Sequence, residues 1–140
     1  MEFHDLIIED RLWESAFEVL TQLRTELTKD QLHQVLKSED AAPPTFTALV
    51  VDGRAVAVAG WRLVANVHVG RKVYVDDLSV DSRLRSAGHG SLLLAHLTQR
   101  AKDLGCATID LDSGVQRFDA HRFYLRERFH ISSHHFLKAL

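Results

Sequence analysis

The sequence predicts an α/β fold in which helices flank a mixed central sheet. Three observations carry that expectation. Strand-like and helix-periodic runs follow one another in the order β-α-α-β-β-β-α-β-α-β. Asp52-Gly53, a hairpin turn signal, joins two of the β-rich runs. The clearest helix, Gly88 to Leu104, lies between two strand-like segments and is stopped by Gly105.

Leu6-Ile7-Ile8 is a short apolar run that reads as an edge strand. Asp10 is placed to cap the helix that follows, where Trp13, Phe17, Leu20, Leu23 and Leu27 recur at helical spacing. Thr28 and Gln31 have capping-box spacing and predict a second helix to about Lys37, with Leu32, Val35 and Leu36 apolar. Ala41-Ala42-Pro43-Pro44 breaks the periodicity into a loop. Thr45 to Val51, Arg54 to Leu63 and Lys72 to Val80 read as three strands; in the second, Ala55, Ala57 and Ala59 alternate with Val56 and Val58. In the long helix Leu92, Leu93, Ala95, His96, Leu97 and Ala101 mark the apolar side. Thr108 to Asp112 alternates as a strand, Asp119 to Arg126 is a short helix, and Phe129 to Leu140 supplies a terminal β segment.

A chain of 140 residues with 46% hydrophobic and 26% charged residues reads as one globular domain, residues 1–140, able to bury a core without metal or disulfide staples. A net charge of -2 argues against a general nucleic-acid binder, and no apolar run is long enough to span a membrane. No signal peptide is evident at Met1-Glu2-Phe3-His4-Asp5, so a cytoplasmic location is the default expectation. Cys106 is the single cysteine and reads as a small core residue. Charge is uneven: residues 1–40 hold ten acidic and four basic residues, the rest nine and thirteen. Alone, that asymmetry fits ordinary solvated helix surfaces.

The chemistry concentrates in Val80-Asp81-Ser82-Arg83-Leu84-Arg85-Ser86-Ala87-Gly88-His89-Gly90-Ser91, between a strand and a helix. N–H groups at a helix start have no intrahelical partner, and the helix dipole is positive there. Glycines 88 and 90 let an anion approach the backbone, and Arg85 adds a permanent charge. Read alone, the turn is either a phosphate cradle or a tight passage into a well-packed helix. It is neither a P-loop, which needs a following Lys-Ser/Thr, nor the dinucleotide glycine fingerprint.

Arg85-Ser86-Ala87-Gly88-His89-Gly90 resembles the Arg/Gln-x-x-Gly-x-Gly/Ala motif of the GNAT acetyltransferases, which binds the CoA pyrophosphate. Asp76 to Val80 is similar to that family's preceding strand, and Ala120-His121-Arg122-Phe123-Tyr124, followed by Phe129, to its Ala-x-x-Phe-Tyr segment. The likeness is specific over residues 72–130 and looser before them. Arg117 stands where relatives often have Asn, and Arg128 where they often have Gly.

The resemblance implies a GNAT-like acyl-CoA N-acyltransferase fold and a metal-free transfer of acetyl from acetyl-CoA to an amine. Tyr124 would protonate the departing sulfur. Asp76, working through water, or in second place Asp77, would serve as base; two adjacent carboxylates on a strand point to opposite faces, so at most one would face substrate directly. Leu78, Ser79 and Val80 would supply the oxyanion N–H and pair with the pantetheine arm. Arg85, Ser86, Ala87, Gly88, His89, Gly90 and Ser91 would hold the pyrophosphate. Arg83, Arg117, Arg122 and Arg126 would surround the CoA half, and the acidic first two helices would favour a cationic small-molecule or peptide amine. A non-catalytic acyl-CoA-binding or regulatory domain is the alternative on the same fold. The nine histidines offer no metal motif, and the terminal β segment could pair across a homodimer.

Overall fold

The computed structural model describes residues 1–140. Its elements are β1 (Glu2–Leu6), α1 (Trp13–Leu23), α2 (Lys29–Leu36), β2 (Thr45–Val51), β3 (Arg54–Asn66), β4 (Gly70–Val80), α3 (His89–Asp103), β5 (Thr108–Leu111) and α4 (Phe118–Arg126). They form one sheet of order β1-β2-β3-β4-β5. β1 to β4 are successively antiparallel, with registers running through Glu2↔Val50, Thr45↔Trp61 and Ala57↔Val80. Between β4 and its neighbour β5 the chain crosses over through α3, which gives the sheet its mixed character. The chain divides into two compact units, Met1–Asp110 and Leu111–Leu140. The first contains the sheet up to Asp110 together with α1, α2 and α3; the second contains α4 and the residues around it.

Burial explains the central strands. Phe46 to Val50 and Ala55 to Trp61 are buried without a break, so both the alanines and the valines of β3 are covered. Such runs belong to strands with both faces occupied. The β2–β3 turn places Asp52 at φ 50° and Gly53 at φ 74°, the paired left-handed conformation of a type I′ hairpin. The predicted capping box also forms: Thr28 Oγ1 accepts from the Gln31 N–H at 3.2 Å, and Gln31 Oε1 accepts from the Thr28 N–H at 2.9 Å.

The structure corrects several boundaries. The edge strand is Glu2–Leu6 rather than Leu6-Ile7-Ile8, and Ile7 is exposed. The polar residues of this strand find partners across the fold. Asp5 accepts from Thr47 Oγ1 at 2.6 Å and from Arg100 at 2.8 Å, and Phe3 stacks on His96 with centroids 4.0 Å apart. Asp10 does not hold the N-cap position of α1, which Leu12 takes; its carboxylate accepts from the Leu12 N–H at 3.4 Å through Oδ1 and bonds His4 at 2.6 Å through Oδ2. α1 ends at Leu23, which leaves Leu27 beyond the helix, and its buried stripe is Ser15, Ala16, Val19 and Leu20. In α3 the buried stripe runs through Gly90, Leu93, Leu94, Leu97 and Ala101, with Leu92 exposed. Residues 129–140 form no strand, and Ile131, Phe136 and Leu137 are exposed. A strand is made by its ladder, and the unit Leu111–Leu140 offers these residues no second strand to pair with.

Candidate active site

A break in the β3–β4 ladder sets the geometry of the site. Gly60 pairs with Asp77 and the next residue, Trp61, with Val75, so Asp76 is an extra residue in β4. Such a bulge shifts the alternation of side chains. The consequence overturns the opposite-face expectation for the two carboxylates: Tyr74, Asp76 and Asp77 all line one hollow. Gly60 is required opposite the bulge. A Cβ there would lie 2.7 Å from the Phe46 ring and 3.0 Å from Asp77 Oδ2.

Each carboxylate has its own arginine. Arg62 donates from Nε to Asp76 Oδ2 and from Nη2 to Asp76 Oδ1, both at 2.8 Å, a bidentate fork. That pairing holds the Arg62 guanidinium even more firmly protonated than usual. Arg24, the C-cap residue of α1, donates from Nε to Asp77 Oδ1 at 2.6 Å and from Nη2 to the Asp76 carbonyl at 2.9 Å. Both oxygens of Asp76 are therefore engaged, while Asp77 Oδ2 faces Gly60. The hollow continues between Pro44 and the α2 residues Gln31, Gln34 and Val35, and joins a second hollow that shares Arg24, Gln31 and Asp77. The acidic excess of residues 1–40 does not reach these walls: Glu26 is its sole representative there.

Past Asp77, β4 carries Leu78, Ser79 and Val80, paired on one side with Ala59, Val58 and Ala57. On the other side β5 begins near Arg71, whose carbonyl accepts from the Ala107 N–H at 2.9 Å. Four residues of strand reach only about 13 Å. β5 therefore stops short of Leu78–Val80, and this length of β4 edge is left for another partner. Ser79 is not itself turned to that edge; its hydroxyl donates to the Val19 carbonyl at 2.7 Å and ties β4 to α1.

The loop after β4 begins with a 3-10 turn, Ser82–Leu84. Asp81 is only 4% exposed and accepts from the Arg83 N–H at 3.0 Å, from Arg83 Nε at 3.0 Å and from Arg83 Nη2 at 2.7 Å. These bonds hold its carboxyl far below the usual carboxylate range. Ser86 (φ 71°) and Gly88 (φ 81°) are left-handed, and Gly88 is the N-cap of α3. A left-handed Gly88 followed by the right-handed first turn of α3 turns successive N–H groups into a concave anion nest. A Cβ on Gly88 would meet nothing within 4 Å, so open space lies before it. His89 Nδ1 is shielded yet has no hydrogen-bond partner. Arg85 is exposed and forms no ion pair, whereas Arg83 is committed to Asp81 and Arg122 to Asp119. The residues present thus fit an anionic phosphate group.

Asp81→Asn is expected to lower the unfolding free energy by about 2 kcal/mol at neutral pH, the scale of hydrogen bonds to a charged group at a buried site. Because the folded carboxyl is depressed, its stabilisation is complete above the unfolded value of about 4 and is lost as pH falls through the folded value. Urea titrations should show a parent–mutant gap that is flat down to about pH 4 and narrows below it. A gap indifferent to acid would contradict the pairing.

Tyr124 stands on α4, in the second unit, with its ring edge-on to Phe123 at 5.2 Å and tilted against Phe129 at 5.8 Å. Burial pushes its hydroxyl up, partly opposed by Arg117, so the phenol stays protonated at neutral pH. Arg128 has φ 68°, in the left-handed region natural to glycine.

Sequence reasoning missed Arg24, Arg62 and Gly60. Each acquires its role through register across β3 and β4 or from the end of α1, and no local motif marks any of them.

A mixed sheet whose fourth strand runs through a glycine-containing turn into a long helix is an architecture shared with solved acetyltransferases. The sequence model of the acetyltransferase (GNAT) family matches residues 7–129, and the chain belongs to that family of acetyl-transferring enzymes. It is 30% identical over 113 residues to the uncharacterised N-acetyltransferase YhdJ of Bacillus subtilis, covering 80% of each chain. It is 39% identical over 66 residues to the aminoalkylphosphonate N-acetyltransferase of Salmonella typhimurium, covering 47% of this chain and 43% of that protein. The structure of an acetyltransferase from Trypanosoma brucei shares the fold, with a TM-score of 0.78 and 23% identity over 99% of each chain.

Proposed function

We propose that residues 1–140 act as one N-acetyltransferase domain that moves acetyl from acetyl-CoA directly to a primary amine within a ternary complex. The observation that carries this reading is the Arg85–Gly90 junction, where a left-handed Gly88 opens α3 beside a free length of β4 edge. Acetyl-CoA, when bound, supplies the activated thioester. The N–H groups of His89 and Gly90, with Arg85 and the surrounding Ser86, Ala87, Gly88 and Ser91, would hold its pyrophosphate. The edge of Leu78–Val80 would align the pantetheine arm and direct an N–H at the developing oxyanion.

The remaining residues move protons. The amine gives up its proton, through water, to a carboxylate of the Asp76–Asp77 pair. Its nitrogen then bonds to the acetyl carbon as the carbon–sulfur bond breaks. Tyr124 donates its hydroxyl proton to the departing sulfur, and the second proton that the nitrogen releases on becoming an amide restores the phenol. Asp76 is gripped by Arg62, so it acts within an ion pair, and Asp77 offers Oδ2 as the neighbouring acceptor.

Direct transfer predicts intersecting initial-rate lines when acetyl-CoA and amine are varied together; parallel lines would indicate an acyl-enzyme and defeat it. Asp76→Asn is expected to reduce turnover about a hundredfold, with the largest loss at low pH, where unprotonated amine is scarcest. A mutant whose pH–rate profile overlays the parent would transfer the role to Asp77 or to solvent.

A further inference from the structure

The hollow beside the β4 bulge has an unusual distribution of charge. Its two carboxylates are the recessed members of their pairs: Asp77 is 14% exposed against 53% for Arg24, and Asp76 26% against 38% for Arg62. A molecule entering from solvent therefore meets guanidinium first and carboxylate behind it. Neither arginine is saturated. A guanidinium has five N–H donors; Arg62 uses Nε and Nη2 on Asp76, and Arg24 uses Nε and Nη2 on Asp77 and the Asp76 carbonyl. Nη1 of each remains to be taken. Arg62 is further pinned over the Tyr74 ring, 5.3 Å from its centroid, so its fork is held in place rather than free to swing away. The other walls are uncharged, including Gln34, Ser38, Ala42 and Pro43, and the one additional acid, Glu26, lines only the adjoining hollow.

We propose that the acceptor is a small zwitterion, an amine carrying a carboxylate or phosphonate group, whose anion is held by Arg24 and Arg62 while its nitrogen is directed to the Asp76–Asp77 pair. A polyamine would meet two guanidiniums at the mouth and two carboxylates already neutralised behind them. An amine with its own anion supplies what the exposed N–H donors lack, and the bidentate geometry of a guanidinium suits both carboxylate and phosphonate. Arg24 and Arg62 are thus specificity residues. The proposal takes the position of the reacting amine from the transferase reading above, so its test has a binding arm that does not depend on transfer.

Four amines with a common two-carbon spacing separate the possibilities: aminoethylphosphonate, β-alanine, β-alanine amide and ethylenediamine. Each would be titrated calorimetrically into the CoA-saturated protein, and each assayed for acetyl-dependent thiol release. The two anionic amines are expected to bind at least about tenfold more tightly than the amide or the diamine. Phosphonate against carboxylate identifies which anion the fork prefers. In Arg62→Gln that preference should collapse. Arg62→Lys, which keeps the charge but loses the fork, should retain part of it and guards against a folding artefact. Equal or tighter binding of the amide or diamine, failure of all four to bind, or a preference that survives in both Arg62→Gln and Arg24→Gln would overturn the proposal. Selective binding of the anionic amines without thiol release would leave it standing and refute the transferase reading instead.

Discussion

Tyr124→Phe is expected to lower turnover about a hundredfold while leaving acetyl-CoA affinity close to that of the parent. The substitution keeps the ring, and with it the contacts to Phe123 and Phe129 that define its place on α4. Only the hydroxyl is lost. Burial raises the hydroxyl above the ordinary phenol range, so at neutral pH it is a proton donor and not a phenolate. General acid catalysis is typically worth about 10²–10⁴-fold, and the lower end applies because a thiolate leaves tolerably well unaided. The loss should appear in kcat, since the hydroxyl assists departure and not ground-state binding. Steady-state kinetics under conditions where chemistry limits turnover would decide it. Parent-like kcat would reduce Tyr124 to a packing residue.

Gly90→Asp should produce a comparable loss at a different step. A carboxylate in the first turn of α3 would sit where the pyrophosphate is to be bound, and like charges brought together at an interface cost several kcal/mol. Acetyl-CoA affinity is expected to fall by at least about a hundredfold, equivalent to about 2.7 kcal/mol. Gly90 also belongs to the buried stripe of α3, so the substitution carries a stability penalty of its own. Arg85→Ala is the cleaner companion, because Arg85 is exposed and forms no ion pair. It should weaken acetyl-CoA binding about tenfold with an unchanged melting temperature. Calorimetric titration of both folded variants measures the effect; parent-like affinity in both would remove the pyrophosphate from this turn.

Local signals carried most of the fold. Thr28 and Gln31 announced the α2 cap, Asp52-Gly53 the hairpin, and Gly105 the end of α3, because each acts through its own backbone neighbours. Where the sequence misled, the deciding interaction was distant. Three of the five residues of β1, Glu2, His4 and Asp5, are polar and qualify as strand only through pairing with β2 and, for Asp5, contacts to Thr47 and Arg100. Residues 129–140 have strand-like composition yet remain outside any ladder. At the candidate site, the glycine turn and the Phe123-Tyr124 segment were legible as motifs. The acceptor side was not. A single extra residue at Asp76 reverses the facing rule for its neighbour, and the arginines that complete the charge pattern come from positions 24 and 62.

The central claim, acetyl transfer from acetyl-CoA to an amine by this chain, is tested most directly by following both products in one reaction. Purified protein, acetyl-CoA and a primary amine would be incubated, with free thiol measured colorimetrically and the amine by mass spectrometry. The account predicts one acetyl group gained by the amine for each thiol released, with both signals sharply reduced in Tyr124→Phe and in Gly90→Asp. Thiol release with no acetylated amine would make the protein a thioesterase, and acetylation that persists at the parent rate in both variants would place the chemistry elsewhere.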